Sequence, residues 1–454
     1  MTLRTLPDHC VLTPGHTWTP SGFLTGQALA VAAGRFSWVG PASDLPVAYS
    51  GWQTVDLGRY AVVPGMVDCH QHLAQTLGRP HAFGEPSEIF RRVWVPLEGA
   101  LTADELAVSA RLGLVDALLG GFTTVADAGA RSRHDPEIIA AQARQTGVRL
   151  VLGKISHDVG VDAGGQGTGP DEVLAGAAAH LDRYAADPWV HGSVAVATPE
   201  MATQSTLARL SDLCRDTGAV LQTHVDEHLA GVERTLLSTG QRPLGLLRDA
   251  GALDRHLLAA HTTLLTAREK MQLARSGAAW SYNPVASAWK GNAVADALTL
   301  TALGARTGLG TDGTRCDAFR LMDAAETAQR LTSAMAAGDP VAGGGDLWLR
   351  AATSGGADAV GLGDEVGTLA AGYRADLLVL RLDTPDFVCT VDLAWQLVRL
   401  GHRGQIHAVI TDGTTRVLDG ELLDSDLGTL IEDARAASAA ACTRAGLGGR
   451  EVPR

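Results

Sequence analysis

Between residues 62 and 312 the chain repeats one unit, a short apolar run followed by a helical stretch, and it does so eight times. The runs are "VVPGMVDCH" near 62, "FTTVADA" at 122, "VRLVLGKIS" at 148, "SVAVATP" at 193, "AVLQTHVD" at 219, "HLLAAHTT" at 256, "AAWSYNP" at 278 and "RTGLGTDG" at 306. Between them lie stretches of helical character such as "TADELAVSARLGLVDALLGG" and "DEVLAGAAAHLDRYAAD". Strands joined by helical crossovers run parallel and are covered on both faces, and eight such units predict a TIM barrel. The polar residues come late in their runs: His70/His72, Asp127, His157/Asp158, Glu200, His224/Glu227, His261, Tyr282/Asn283 and Asp312. They therefore converge on the C-terminal mouth, where such barrels carry their sites.

The chain ends read differently. Residues 1–60 and 365–425 hold short strands broken by Gly and Asp turns, as in "ALAVAAGRFSWVG" and "VGTLAAGYRADLLVLRLD", the pattern of antiparallel β structure. The expected division is a first β part at 1–60, the barrel at 61–364, a second β part at 365–425, and a C-terminal helix and tail at 426–454. That tail starts helical and should fray at its Gly-rich end.

A net charge of −13 and the absence of a basic stripe argue against nucleic acid and favour a neutral or cationic small molecule. The six cysteines form no C-x-x-C pair and suit reduced thiols. Neither a signal-peptide pattern nor an apolar run of about 18 residues is present, so a cytoplasmic protein without a membrane partner is expected.

The first run ends in His70-Gln71-His72. Strand side chains alternate, so the two imidazoles share a face and can grip one metal ion at the strand end. His224 follows four units later, His261 one unit after that, and Asp312 two short units further on, at strands 5, 6 and 8. All of them point into one mouth.

In these features the chain resembles the amidohydrolase superfamily, and within it the branch of nucleobase-type and aminotriazine deaminases and chlorohydrolases. The resemblance rests on "PGMVDCHQH", "THVDE", "AHTT" and "LGTDG", with "PLEGALTADELAVSARLGLVDALLGGFTTVAD" and "GTLAAGYRADLLVL" extending it over nearly the whole chain. It implies a barrel with a small composite β-sandwich domain built from both chain ends. It also implies a divalent ion, Zn²⁺ before Fe²⁺ or Mn²⁺, held by His70, His72, His224 and Asp312. Asp312 would also take a proton, Glu227 would carry a proton to a ring nitrogen and then to the departing amine, and His261 would polarise the attacking oxygen. Relatives are commonly homo-oligomers, so the same is expected here.

Several positions depart from the family pattern. Strand 4 reads "AVATPEMAT" and lacks the lysine that bridges two metals in binuclear members, so one metal is expected. Tyr282-Asn283-Pro284 replaces a frequent His-x-Pro, Leu264 replaces a polar residue after the strand-6 histidine, and Glu200 follows Pro199 where guanine-deaminase-like members carry arginine. A carboxylate there would select an amino-rich or cationic substrate. Glu200, Trp94, Gln75, His157, Tyr282 and Asn283 are the candidate substrate contacts. The Gly-rich "GVDAGGQGTG" after strand 3 is either a lid or a plain connector.

The expected activity is metal-dependent hydrolytic deamination of an aminated heterocycle or a guanidino or formimino compound. The alternatives are a same-fold hydrolase releasing chloride, an alkylamine or an amide nitrogen, and an inactive barrel serving as a scaffold.

Overall fold

The computed structural model describes residues 3–85, 89–160 and 169–447. The Gly-rich stretch after strand 3 and the Gly-rich end of the tail lie almost wholly outside the described residues.

The N-terminal arm supplies β1 (His9–Thr19), β2 (Gly22–Leu24), β3 (Gln27–Ala32), β4 (Arg35–Pro41) and β5 (Gln53–Pro64). The barrel follows as β6 (Met66–Gln71), β7 (Phe122–Asp127), β8 (Arg149–Ile155), β9 (Val190–Val196), β10 (Leu221–Val225), β11 (Leu257–His261), β12 (Ala279–Tyr282) and β13 (Arg306–Leu309). The chain then returns as β14 (Leu377–Arg381), β15 (Ile406–Thr411), β16 (Thr414–Leu418) and β17 (Glu421–Leu422).

β6 to β13 are hydrogen-bonded in sequence order, every pair parallel, as the eight-fold repeat predicts. The last strand meets the first through the backbone amide of Asp312, which donates to the His70 carbonyl at 2.7 Å. This seam needs glycine. A Cβ on Gly308 would lie 2.3 Å from the Cys69 sulfur, and one on Gly310 would lie 2.3 Å from the Ser281 hydroxyl and 2.9 Å from the His70 Cβ. "TGLGTDG" therefore brings Asp312 against the strand that carries the first two histidines.

Helices wrap the barrel because their apolar faces have the sheet to cover. The helix Ala103–Leu119 begins at a reciprocal cap, in which Thr102 accepts from the Glu105 amide and Glu105 accepts from the Thr102 amide. Its buried side joins the core formed with Met66, Phe122, Val125 and Leu150. The C-terminal helix Leu427–Arg444 packs on it, and Ser438 donates to the Leu77 carbonyl at 2.7 Å. The end of the chain thus braces the segment that leaves β6.

Both chain ends share one nine-stranded sheet, in which β14 lies antiparallel to β5 and β5 parallel to β1. Cys10, Leu12, Val55, Leu57, Val62, Leu377, Val379 and Ile410 form its separate core. No helix among the described residues is long and apolar enough to cross a membrane.

Candidate metal centre and active site

Each candidate side chain sits where a strand gives way to its loop. His70 is the last residue but one of β6 and His72 follows the strand, His224 lies in β10, His261 ends β11 and Asp312 follows β13. His261, Asp312 and the neighbouring Asp226 and Thr262 hold positive φ angles of 74°, 52°, 50° and 50°. Non-glycine residues adopt this region at a cost, and they do so most often at functional sites.

One potential ligand atom each from His70, His224, His261 and Asp312 lies within 4.8 Å of the others. His72 joins them, with Nε2 3.2 Å from His224 Nε2 and 3.3 Å from Asp312 Oδ1. His70 Nε2 is 3.5 Å from the same Asp312 oxygen. His70 Nε2 and His261 Nε2 are buried and have no hydrogen-bond partner among the described residues. Buried imidazole nitrogens left in this state await a ligand or a charge. His224 Nδ1 lies 2.7 Å from the Ala197 carbonyl, so it carries the proton and leaves the Nε2 lone pair for the cluster. Three imidazoles and a carboxylate on this scale fit a divalent ion.

His261 is held differently. Asn283 Nδ2 lies 3.2 Å from His261 Nδ1, while Asn283 Oδ1 accepts from the Ser281 hydroxyl at 2.7 Å. With the amide oriented this way, His261 keeps its proton on Nε2. It then faces the cluster as a donor, whereas His224 faces it as an acceptor. Burial pushes His261 down to about 4 and holds His72 and His224 below the usual imidazole range, so all three are neutral at pH 7 in the absence of an ion.

Glu227 lies beyond the end of β10, with Oε2 3.8 Å from His261 Nε2. Burial works against its ionisation, but the attraction of His261, once protonated at low pH, and of the Lys290 ammonium outweighs burial and holds the carboxyl below its usual range. For Asp312, burial is likewise outweighed, first by Lys290 and then by His261. Lys290 ends the helix Pro284–Lys290 and donates to Glu227 Oε1 at 2.7 Å and to Asp312 Oδ2 at 2.6 Å. The spacing of histidines gives no hint of Lys290. Its one sequence signal is being the lysine after strand 7 in a chain whose 37 basic residues include only three lysines.

A cavity of about 650 Å³ opens from this cluster. Its wall includes His72, His224, Glu227, Lys290 and Asp312, together with three of the expected substrate contacts, Gln75, Trp94 and Glu200. Trp94 closes the π-helical turn Phe90–Trp94, a local widening frequent at functional sites. Gln75 donates to Glu98 at 2.8 Å, and Glu98 also accepts from the Arg131 amide and guanidinium, so that part of the wall is internally satisfied. Glu200 sits in the turn Pro199–Met201, and its Oε2 is buried without a hydrogen-bond partner among the described residues.

The remaining expected contacts do not line the cavity. Tyr282 packs with Trp280 and Trp348 in the strand–helix layer, and its hydroxyl accepts from Gln329 at 2.8 Å. Trp280 and Tyr282 share a strand face, while Ser281 and Asn283 take the other. Asn283 therefore reaches the site only through His261. His157 is absent from the wall, and its neighbour Asp158 accepts from the Thr203 amide and hydroxyl and from Thr206, tying the loop after β8 to the start of the helix Gln204–Thr217 that follows β9. Asp127 is a staple as well. It accepts from the Leu73 and Gly129 amides, and burial pushes it up to about 7.

An eight-stranded barrel with an imidazole–carboxylate ring in its mouth defines the class of metal-centred TIM-barrel hydrolases. The amidohydrolase family model matches residues 61–416, and the chain belongs to that family; it is a hydrolase of carbon–nitrogen bonds. It is 30% identical over 414 residues to the 5-methylthioadenosine/S-adenosylhomocysteine deaminase of Syntrophobacter fumaroxidans, covering 90% of this chain and 92% of that one. The corresponding deaminase of Desulforudis audaxviator is 28% identical over 411 residues, covering 89% and 93%. The crystal structure of an adenosine deaminase from Xanthomonas campestris with bound zinc matches with a TM-score of 0.87 and 26% identity, covering 96% of this chain and 99% of that one.

Proposed function

We propose that the protein hydrolytically deaminates an amino-substituted nitrogen heterocycle about the size of a purine nucleoside, using one divalent ion, zinc. The observation that carries this reading is the pairing of a ligand-poor imidazole ring with a second, separate carboxylate, Glu227, at its edge. His70, His72, His224 and Asp312 would hold the ion, which supplies a hydroxide nucleophile at neutral pH when bound. Glu227, ionised at rest, takes one proton of the attacking water to the ring nitrogen and then relays the second, which Asp312 has accepted, to the leaving amine, so that water adds across the C–N bond and ammonia departs. An amine must be protonated to leave, and a general acid at the edge of the ring meets that need. His261, donating through Nε2, stabilises charge on the attacking oxygen. Asp312 accepts the proton that this oxygen gives up.

The nucleoside size is supported by the cavity, which is much larger than a lone base requires, and by the names of the two deaminase relatives. Glu200 selects for an amino or cationic group. Its unpartnered buried oxygen costs free energy until an N–H donor reaches it. The test is ammonia release from zinc-loaded protein across aminopurine nucleosides, free aminopurines, pterins, aminotriazines and guanidino compounds. Turnover of at least one aminopurine nucleoside, abolished by chelation, is expected. Release of chloride or alkylamine without ammonia would defeat the reading. Glu200→Gln should lose about tenfold more kcat/KM on amino-bearing substrates than on carbonyl analogues.

A further inference from the structure

The reaction as argued leaves Lys290 without a task, although its ammonium lies between the two carboxylates that move protons. Each carboxylate has one oxygen on the lysine and one turned away from it. Glu227 Oε1 accepts from Lys290 and, at 3.3 Å, from Asn292, which leaves Oε2 toward His261. Asp312 Oδ2 accepts from Lys290, which leaves Oδ1 toward His70 and His72. We propose that Lys290 is a positioning residue, a clamp that fixes which oxygen of Glu227 and of Asp312 faces the reacting centre. The proposal rests on the reading of Glu227 and Asp312 given above.

The physical need for such a clamp is plain. Two carboxylates this close repel each other, and each can rotate its reactive oxygen out of line. A compact ammonium with three rotatable donors can bridge both at once, while a planar guanidinium favours one carboxylate bidentately. The lysine is the last residue of a short helix whose N-cap residue, Asn283, orients His261. One segment therefore sets the orientation of three groups at the centre.

The test uses full-length metal-loaded protein and the Lys290→Met and Lys290→Ala variants. Metal content should stay at the wild-type level, KM should stay within about threefold, and kcat should fall about 30-fold or more, the scale for a misplaced reacting group. Ethylammonium should restore part of kcat in Lys290→Ala. Three results would overturn the clamp: kcat within about threefold of wild type, a KM rise with kcat unchanged, or loss of the ion along with activity. A readout independent of substrate is the visible spectrum of the cobalt-loaded protein, which Lys290→Met should alter by freeing Asp312. If wild type releases no ammonia from any substrate, the deaminase reading fails and the clamp is still judged on that spectrum. Identical spectra in wild type and Lys290→Met would overturn it.

Discussion

At the floor of the barrel Arg149, the first residue of β8, is buried between Asp376 and Asp412. At the mouth Lys290 is buried between Glu227 and Asp312. The two arrangements are alike in charge and differ in what they leave open. On the floor each carboxylate oxygen has a donor. Asp412 accepts from Arg149 at 2.8 Å and from Arg374 at 3.2 Å, while Asp376 accepts from the Asp412 amide at 2.7 Å and meets Arg149 at 3.5 Å. These bonds tie β8 to the loops of β14 and β15, and so join the barrel to the sheet of the chain ends. At the mouth the lysine takes only one oxygen of each carboxylate, and His70 Nε2 and His261 Nε2 make no hydrogen bond among the described residues. A carboxylate pair whose four oxygens are all held ties the fold together, whereas a convergent set of imidazole nitrogens and free carboxylate oxygens leaves room for a ligand. The contrast predicts that variants at the mouth lose turnover and keep stability, and that variants at the floor do the reverse.

The largest effect belongs to the mouth. Glu227→Gln should keep fold and metal but lower kcat about 10³-fold, within the usual range for a general acid–base. Steady-state kinetics alongside elemental analysis checks this, and near wild-type turnover would move the proton shuttle elsewhere. His72→Ala should instead release the ion, with activity falling in proportion to metal content. If His72→Ala kept full occupancy, the ion would be held by His70, His224, His261 and Asp312, the other set the distances allow. That outcome would make His261 a ligand and break its assignment as a donor.

The floor gives the next effect. Arg149→Met removes the cation and strands two carboxylates, of which Asp376 is only 1% exposed. Breaking a buried ion pair from one side costs about 3 kcal/mol, read as a lower denaturant midpoint. The kcat of the folded fraction should be unchanged. A fall in kcat at unchanged stability would show that floor and mouth are coupled, and the contrast would fail.

The same contrast explains what could be read from the sequence. The eight strands and the convergence of His70, His72, His224, Glu227, His261 and Asp312 on the barrel mouth are legible because strand period and late polar residues are local signals. Lys290 and the Arg149 network were not, because each depends on partners far apart in sequence that only the closed barrel brings together. Tyr282 was misplaced for a local reason. The alternation that puts Ser281 and Asn283 on one face of β12 puts Trp280 and Tyr282 on the other, so expecting both Tyr282 and Asn283 in the cavity counted two adjacent residues on one side. Glu200 was placed at the wall by its position after β9, but its missing partner shows only in three dimensions.

The smallest prediction concerns a floor histidine. His191 lies early in β9, with Nε2 buried and without a hydrogen-bond partner among the described residues. Burial first, and then the neighbouring Arg149 charge, push it down to about 4. Unfolded, the same imidazole titrates near 6.5. Between those values the unfolded chain binds a proton that the folded chain does not. This contribution to stability is therefore complete above about pH 6.5 and is lost as the pH falls toward 4. The partial exposure of His191 tempers the effect, so His191→Gln should flatten the fall in Tm over this window by about 2 °C, on the size scaling of thermal unfolding. At pH 7.5 its kcat should match wild type. The mouth imidazoles His72, His224 and His261 share the same sign, but only the metal-stripped protein should show their part, because an ion occupies the nitrogens that protons would take. Thermal scans of loaded and stripped protein, each with and without His191→Gln, separate the two ends. If His191→Gln left the pH dependence of the loaded protein untouched, the acid sensitivity would lie elsewhere than in this part of the floor.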